Sequence, residues 1–276
     1  MAITAQEVKR LRDITGVGMM DCKKALQEAN GDFDTAIDLL RKKGQKVAAK
    51  RADREAKEGV IVTAATSDQK TALLVEVNCE TDFVARNEEF QKFANALGAL
   101  VLETRPADRD TLMATPFDKG RTVEEALIDQ TGKIGEKIDV RRFAIMTSED
   151  GQVVAYIHPG ARLGVLVDTN GTGDLETAGR DVAMQVAALN PIAASREEVT
   201  QEIKDKELEI GRETARAEGK PEQIIERIAE GKLNRYYKDY VLLEQPFVKD
   251  ASTTVADMLK QAGASIKGFI RFALGD

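Results

Sequence analysis

The chain has 276 residues, 42% of them hydrophobic and 32% charged, with a formal net charge of −7. That length suggests two or three domains of an ordinary globular protein, and the acidic balance lacks the basic footprint that sequence-independent nucleic-acid binding requires. No window approaches the roughly 18 apolar residues of a membrane span, and MAITAQEVKRL lacks a charged segment followed by an apolar one, so no secretory signal is visible. Cys22 and Cys79 stand far apart with no CxxC spacing, which points to reduced, semi-buried thiols in a cytoplasmic protein.

Residues 1–45 read as a compact three-helix unit. Apolar residues recur at helical spacing in Val8, Leu11 and Ile14, then in Ala25, Leu26 and Ala29, then in Phe33, Ala36, Ile37 and Leu40. Asn30-Gly31-Asp32 separates the second helix from the third, with Asp32 as the N-cap. The first break is TGVGMM (15–20), where Met19 and Met20 are either one core and one incidental side chain or a soft recognition surface on a loop. The basic run KKGQKVAAKRADREAK (42–57) is tempered by Asp53, Glu55 and the following Glu58. It reads as a solvated linker helix, with an RNA or membrane patch as the alternative, and residues 46–57 are assigned as linker.

Residues 59–83, GVIVTAATSDQKTALLVEVNCETDF, repeat in 151–175, GQVVAYIHPGARLGVLVDTNGTGDL, at an offset of 92 without a gap. Each copy reads as two strands joined by a turn, followed by an amphipathic helix. TVEEALIDQTG (122–132) resembles TVADMLKQAG (254–263), and each copy closes on a strand, IDVRRFAIM or SIKGFIRFAL. The fold class is therefore α+β, with two small antiparallel subdomains at 58–148 and 149–276. The second carries an insertion, 196–244, that reads as two thinly striped helices forming an antiparallel hairpin. Val199, Ile203, Leu208 and Ile210 form one stripe; Ile224, Ile225, Ile228, Leu233 and Tyr237 form the other.

At VNCETDFVARNEEF (77–90) a polar turn ends in an aromatic ring, Phe83. Asn87 supplies its own N-cap for the next helix, with Glu88 and Glu89 in the first turn. Phe83 is then either a structural staple, as its repeat partner Leu175 suggests, or a wedge for another molecule. Catalytic constellations are absent: His158 is the only histidine, no GxxxxGK[ST] or GxGxxG loop occurs, and no carboxylate pair stands out. His158, at a hairpin tip before Pro159-Gly160, is an exposed turn residue or a contact on a binding face. No cofactor and no resident metal are implied; the chain reads as a protein that works by touching a partner.

LRDITGVGMMDCKKAL (11–26) and EVNCETDFVARN (76–87) closely resemble the signature stretches of the bacterial elongation factor Ts family, the guanine-nucleotide exchange factors of elongation factor Tu. GKIGEKIDVRRF (132–143), YIHPGARLGVLV (156–167), QPFVKD (245–250) and GFIRFALGD (268–276) match in the family's order. The resemblance implies a ubiquitin-associated-like N-terminal domain, a two-subdomain core and a protruding coiled-coil hairpin. It also implies a non-enzymatic role in translation elongation: the Thr81-Asp82-Phe83 segment, with Val84, enters the partner GTPase near its Mg²⁺ and phosphates. His158 packs close by, Arg12, Met19 and Met20 touch the nucleotide-binding domain, and Ile134 and Gly135 contact the same domain. Val248 and Lys249 fall where the family touches the partner's other domains, the lysine departing from an apolar position. GDP, GTP and Mg²⁺ are involved only through that partner; no direct nucleic acid and no membrane are expected. Against this stand a scaffolding adaptor without effect on nucleotide, and an RNA-binding factor using residues 42–57.

Overall fold

The structure, a computed structural model, describes residues 3–118 and 120–276. The chain divides into two compact units, Met1–Ala64 with Val75–Phe143 and Leu274–Asp276, and Ala65–Leu74 with Ala144–Ala273.

In the first unit, helices α1 (Ala5–Thr15), α2 (Met19–Glu28) and α3 (Phe33–Arg51) enclose Val8, Leu11, Cys22, Ala25, Leu26, Ala36 and Leu40. Helices α1 and α3 start at side-chain caps, while α2 starts after Gly18 without one. Thr4 and Glu7 form a capping box, and Asp32 accepts the Thr35 N–H at 2.8 Å. Helix α2 begins at Met19, so the two methionines stand in its first turn rather than on a loop, and both are exposed. Neither is core, because positions 22, 25 and 26 already point the helix inward. Helix α3 runs through the basic stretch to Arg51. That stretch is not wholly solvated: Gly44 is buried against Gly132 of α7 (Val123–Ile134).

Strands β1 (Glu58–Ala65), β2 (Thr71–Cys79) and β5 (Asp139–Thr147) form a three-stranded sheet in the order β1-β2-β5. Between β2 and α7 come a short helix α4 (Asp82–Ala85), α5 (Glu88–Thr104), α6 (Arg109–Ala114) and a small ladder of β3 (Pro116–Asp118) and β4 (Arg121–Thr122). Helix α5 buries Phe90, Phe93, Ala94, Leu97 and Val101, the expected apolar face. The second unit repeats this plan. Strands β6 (Gln152–Ile157), β7 (Leu163–Gly171) and β10 (Ala264–Ala273) pair antiparallel in the order β10-β7-β6, with Gln152 opposite Thr169 and Ala273 opposite Leu163. Helix α8 (Leu175–Leu189) covers them, and Val165, Val167, Val182, Val186, Val255 and Leu259 form the core.

The repeat extends into backbone detail. Gly59 and Gly151 begin the two copies, and each lies against the strand position 18 residues on. A Cβ on Gly59 would sit 2.2 Å from the Val77 carbonyl oxygen, and one on Gly151 1.7 Å from that of Thr169. Thr122 caps α7 and Thr254 caps α11 (Val255–Gln261) through equivalent side-chain bonds. A ladder of β8 (Pro246–Phe247) and β9 (Asp250–Thr254) precedes α11 as β3–β4 precedes α7. The Val123 and Val255 N–H groups donate to Thr115 and Gln245 at 3.0 Å each. Pro116-Phe117 and Pro246-Phe247 are therefore part of the repeat, which their different spacing hides from an ungapped comparison.

The insertion is two paired helices, α9 (Gln201–Ala217) and α10 (Glu222–Tyr240). The first starts later than its pattern suggests, because Thr200 caps it and Arg196–Glu198 is a separate 3-10 turn. Its seam is made by small residues: Gly211 meets Ala229, and Ala215 and Ile225 are buried beside them. Ile210, assigned to the apolar stripe from spacing, is exposed, because the close approach at Gly211 turns its neighbour outward. The base is pinned where Arg196 lies over the Tyr237 ring, 4.4 Å from its centroid, and pairs with Glu244.

Glycine substitutions separate close approach from propensity. Gly151→Ala should destabilise the protein by about 1–3 kcal/mol, as overpacking does. Gly231→Ala, in open space on α10, should stabilise it by about 0.5–1 kcal/mol through helix propensity. Urea unfolding midpoints at matched m-values read both signs.

Candidate functional site

The segment after β2 folds as it does because three caps follow one another. Thr81 accepts the Val84 N–H at 3.5 Å, starting the single turn of α4. The Arg86 N–H closes that turn on the Asp82 carbonyl at 3.1 Å. Asn87 then accepts the Glu89 and Phe90 N–H groups at 2.8 and 3.3 Å and restarts the chain as α5. Only Ala85 of the turn is buried. Phe83 is left 81% exposed, while Thr81, Asp82 and Val84 are half-buried. Asp82 pairs with Arg86 at 2.9 Å. In the second copy Asp174 itself caps α8 and Leu175 is half-buried. The staple reading therefore fails for Phe83, which one extra turn separates from α5, whereas its repeat partner Leu175 opens α8 directly and is half-buried.

The turn is held from below by two loops that exchange carboxylates. Glu136 accepts the Thr81 N–H at 3.0 Å and its hydroxyl at 2.7 Å. Glu80 accepts the Lys137 N–H at 2.7 Å and the Arg51 guanidinium at 2.7 and 2.8 Å. Burial alone would raise the Glu80 carboxyl; the Lys137 N–H and Arg51 outweigh it and hold it below the usual carboxylate range. The Cys79 thiol donates to the Thr81 carbonyl at 3.1 Å. Burial, with Glu136 nearby, pushes that thiol from 9.0 up to about 12, so it stays a protonated donor. Both cysteines are fully buried and free.

The same clamp places Ile134, the last residue of α7, and its left-handed cap Gly135 one residue from Glu136, beside the Phe83 turn. Lys133 precedes them, and its ammonium lies where a Cβ on Gly16 would be 3.4 Å away. Burial, then Arg121, lowers the Lys133 pKa. The corner at Gly16 carries Arg12, Met19 and Met20, all exposed, with Met20 at 63% and Ile14 exposed beside them. Lys133, against the Gly16 corner, and Glu136, on Thr81, thus lie three residues apart on one segment.

The second unit holds the other candidates. His158 is exposed, and its Nδ1 lies 2.9 Å from the Tyr156 hydroxyl, with the rings edge-on at 6.0 Å. Arg180 of α8 covers Tyr156, 5.8 Å from its centroid. The next residue, Asp181, pairs with Lys249 at 2.7 Å. One turn on, buried Gln185 accepts the Val248 N–H at 2.8 Å and donates to Gln245 and Pro246 at 3.1 Å. Helix α8 therefore sets both His158 and the exposed Val248, while Lys249 is engaged within its own fold. Sequence reading missed Glu80, Glu136, Arg51, Tyr156, Arg180 and Gln185. Glu80 and Glu136 lie inside the matched motifs, but nothing in a linear chain pairs residues 55 or 57 apart.

Among the described residues no group of three or more His, Cys, Asp or Glu could hold a metal, and no helix is long and apolar enough to cross a membrane. What the arrangement offers is a preorganised aromatic with a carboxylate beside it, on a turn clamped by charged hydrogen bonds.

The sequence profile of the family described as elongation factor TS matches residues 80–276. Proteins named elongation factor Ts from Chloroherpeton thalassium, Chlorobaculum tepidum and Cytophaga hutchinsonii are each 48% identical to this chain, over 99% of it and 99% of their own length.

Cys79 makes an alkaline signature. Below pH 9 its thiol is protonated whether the chain is folded or unfolded. From 9.0 to about 12 only the unfolded chain ionises, so stability falls as pH rises through that window. The stability difference between the unsubstituted protein and Cys79→Ser should shift against the former between pH 8 and 11 in paired thermal melts. A pH-independent difference would refute the assigned burial.

Proposed function

The chain belongs to the elongation factor Ts family of translation elongation factors, and from that premise we propose that it is the guanine-nucleotide exchange factor of elongation factor Tu. The observation that carries the reading is Phe83: a large apolar ring 81% exposed on a clamped turn. Burying such a ring in a partner's pocket is worth roughly 1.5–3 kcal/mol. A rigid turn loses little entropy in presenting it.

A GTPase holds its nucleotide through backbone amides around the phosphates and through Mg²⁺ bridging phosphate oxygens. In the proposed complex Phe83 wedges into an apolar pocket beside that site, and Asp82 brings its carboxylate to the Mg²⁺ and phosphate environment. Thr81 and Val84 flank the wedge, and His158, oriented by Tyr156, packs nearby. Arg12, Met19, Met20, Ile134 and Gly135 hold the nucleotide-binding domain, and Val248 with Lys249 meets the remaining domains. The three-helix unit is ubiquitin-associated-like, and α9–α10 is a coiled-coil arm. The protein acts in the cytoplasm and performs no covalent chemistry.

Exchange then follows from linkage. This chain accelerates release only by binding the nucleotide-poor partner better than the loaded one, and whatever factor it costs GDP, GDP costs it. Incoming GTP therefore dissolves the complex.

Release of fluorescent GDP from purified elongation factor Tu, with this protein in catalytic amounts, tests the reading. Acceleration is expected; none, from a folded protein and an active partner, would refute it. Phe83→Ala should keep the native melting temperature and lose roughly 10- to 100-fold in release rate, the kinetic equivalent of the burial term. Unchanged release by that variant would remove Phe83 from the mechanism.

A further inference from the structure

Helix α3 starts in the three-helix unit and ends at the Phe83 turn. Its partner on the way is α7. A Cβ on Gly132 of α7 would lie 2.5 Å from the Gly44 Cα, so the two backbones touch with no side chain between them. Seven residues on, Arg51 reaches the Glu80 carboxylate with both bonds under 3 Å, in a part-buried setting. The Lys137 ammonium donates to the Ala52 carbonyl, the helix cap, at 2.7 Å. The far end of α7 carries Ile134, Gly135 and then Glu136, which grips Thr81. The two helices, joined at Gly44–Gly132 and again through Arg51, Glu80 and Lys137, form a closed bracket. Lys133 of α7 lies against the Gly16 corner that precedes Met19 and Met20, and Glu136, three residues on, holds the turn that carries Phe83.

We propose that this bracket makes the two exposed surfaces a single bipartite contact, and that Arg51 and Gly132 are positioning residues for it although neither belongs to the contact itself. The proposal rests on the exchange reading for its function, and on geometry alone for its structure. Two rigidly linked surfaces bind as one: after the first engages, the second meets its target at high effective concentration. Arg51 suits the role because its guanidinium Nη1 reaches both Glu80 oxygens, at 2.7 and 2.8 Å, from a planar group whose donors point in fixed directions, where an ammonium is a compact point charge on a flexible stem. Gly132 suits it because any Cβ there must push α3 away as a body, the opposing atom being backbone.

Spin labels on Lys24→Cys in α2 and Glu88→Cys at the start of α5 report the span directly. Both positions are exposed, and native Cys22 and Cys79 are buried. Double electron–electron resonance on the full chain should give one narrow distance distribution. Gly132→Ala and Arg51→Gln should each shift or broaden it, with Arg51→Lys between the two. Unchanged distributions would overturn the bracket whatever the protein does to nucleotide. In the GDP-release assay, Gly132→Ala should raise the half-saturating concentration about tenfold, a partial loss of the ~10²–10⁴ that linkage can supply, and leave the plateau rate unchanged. A displaced distribution with an unaltered half-saturating concentration would overturn the positioning role. If the unsubstituted protein accelerates nothing, the exchange reading fails by itself and the distances still decide the bracket.

Discussion

Glu80 and Glu136 each hold the backbone of the loop that carries the other. That exchange is the constraint on which the rest of the first unit depends. A turn as short as α4 has no stability of its own, since one helical turn fixes several dihedrals for one or two hydrogen bonds. An aromatic ring left in water gives it nothing further. The carboxylates supply what the turn lacks, because charge-assisted bonds in a part-buried setting are among the stronger polar contacts available to a chain. Arg51 completes the arrangement by neutralising Glu80, whose side chain is 17% exposed. Without that cation the carboxylate would bear its desolvation cost alone.

The internal repeat shows how one scaffold serves two ends. The copies share their glycine entry, their Thr-capped second helix, the ladder before it and the closing strand. They part at the junction between the central strand and the helix that follows. In the second copy Asp174 caps the helix at once and Leu175 is half-buried. In the first, Asn87 takes over the capping, and the residues so released form the turn that lifts Phe83 outward. A small shift in where a helix starts converts a structural side chain into an exposed one. The second unit reaches its own order by another device, the buried Gln185–Gln245 pair, which binds the Pro246–Val248 strand and turn to α8. Buried amides of this kind satisfy each other fully or not at all, so they specify one arrangement.

Much was legible in the chain. Periodicity located the three N-terminal helices, and Asp32 and Asn87 marked helix starts by capping chemistry that is local by nature. The ungapped repeat between 59–83 and 151–175 reported two hairpins with their helices, since alternating strands and turn residues leave a readable period. The same residues carried the family likeness. Less was legible where two segments meet: the stripe on α9 assigned Ile210 inward, although the seam is made at Gly211, which has no side chain to announce itself.

What the sequence by itself determined, then, is which segments are helix or strand and that the core is duplicated. Those properties follow from neighbours within a few positions. The tertiary structure alone decided that Phe83 points to solvent, that Glu136 and Glu80 cross to each other's loops, and that α3 reaches the turn through Arg51. Those facts depend on pairs 29 to 57 residues apart. A charge or a glycine carries no mark of its partner until packing brings the two together, and only then does the geometry say whether a side chain is staple or wedge.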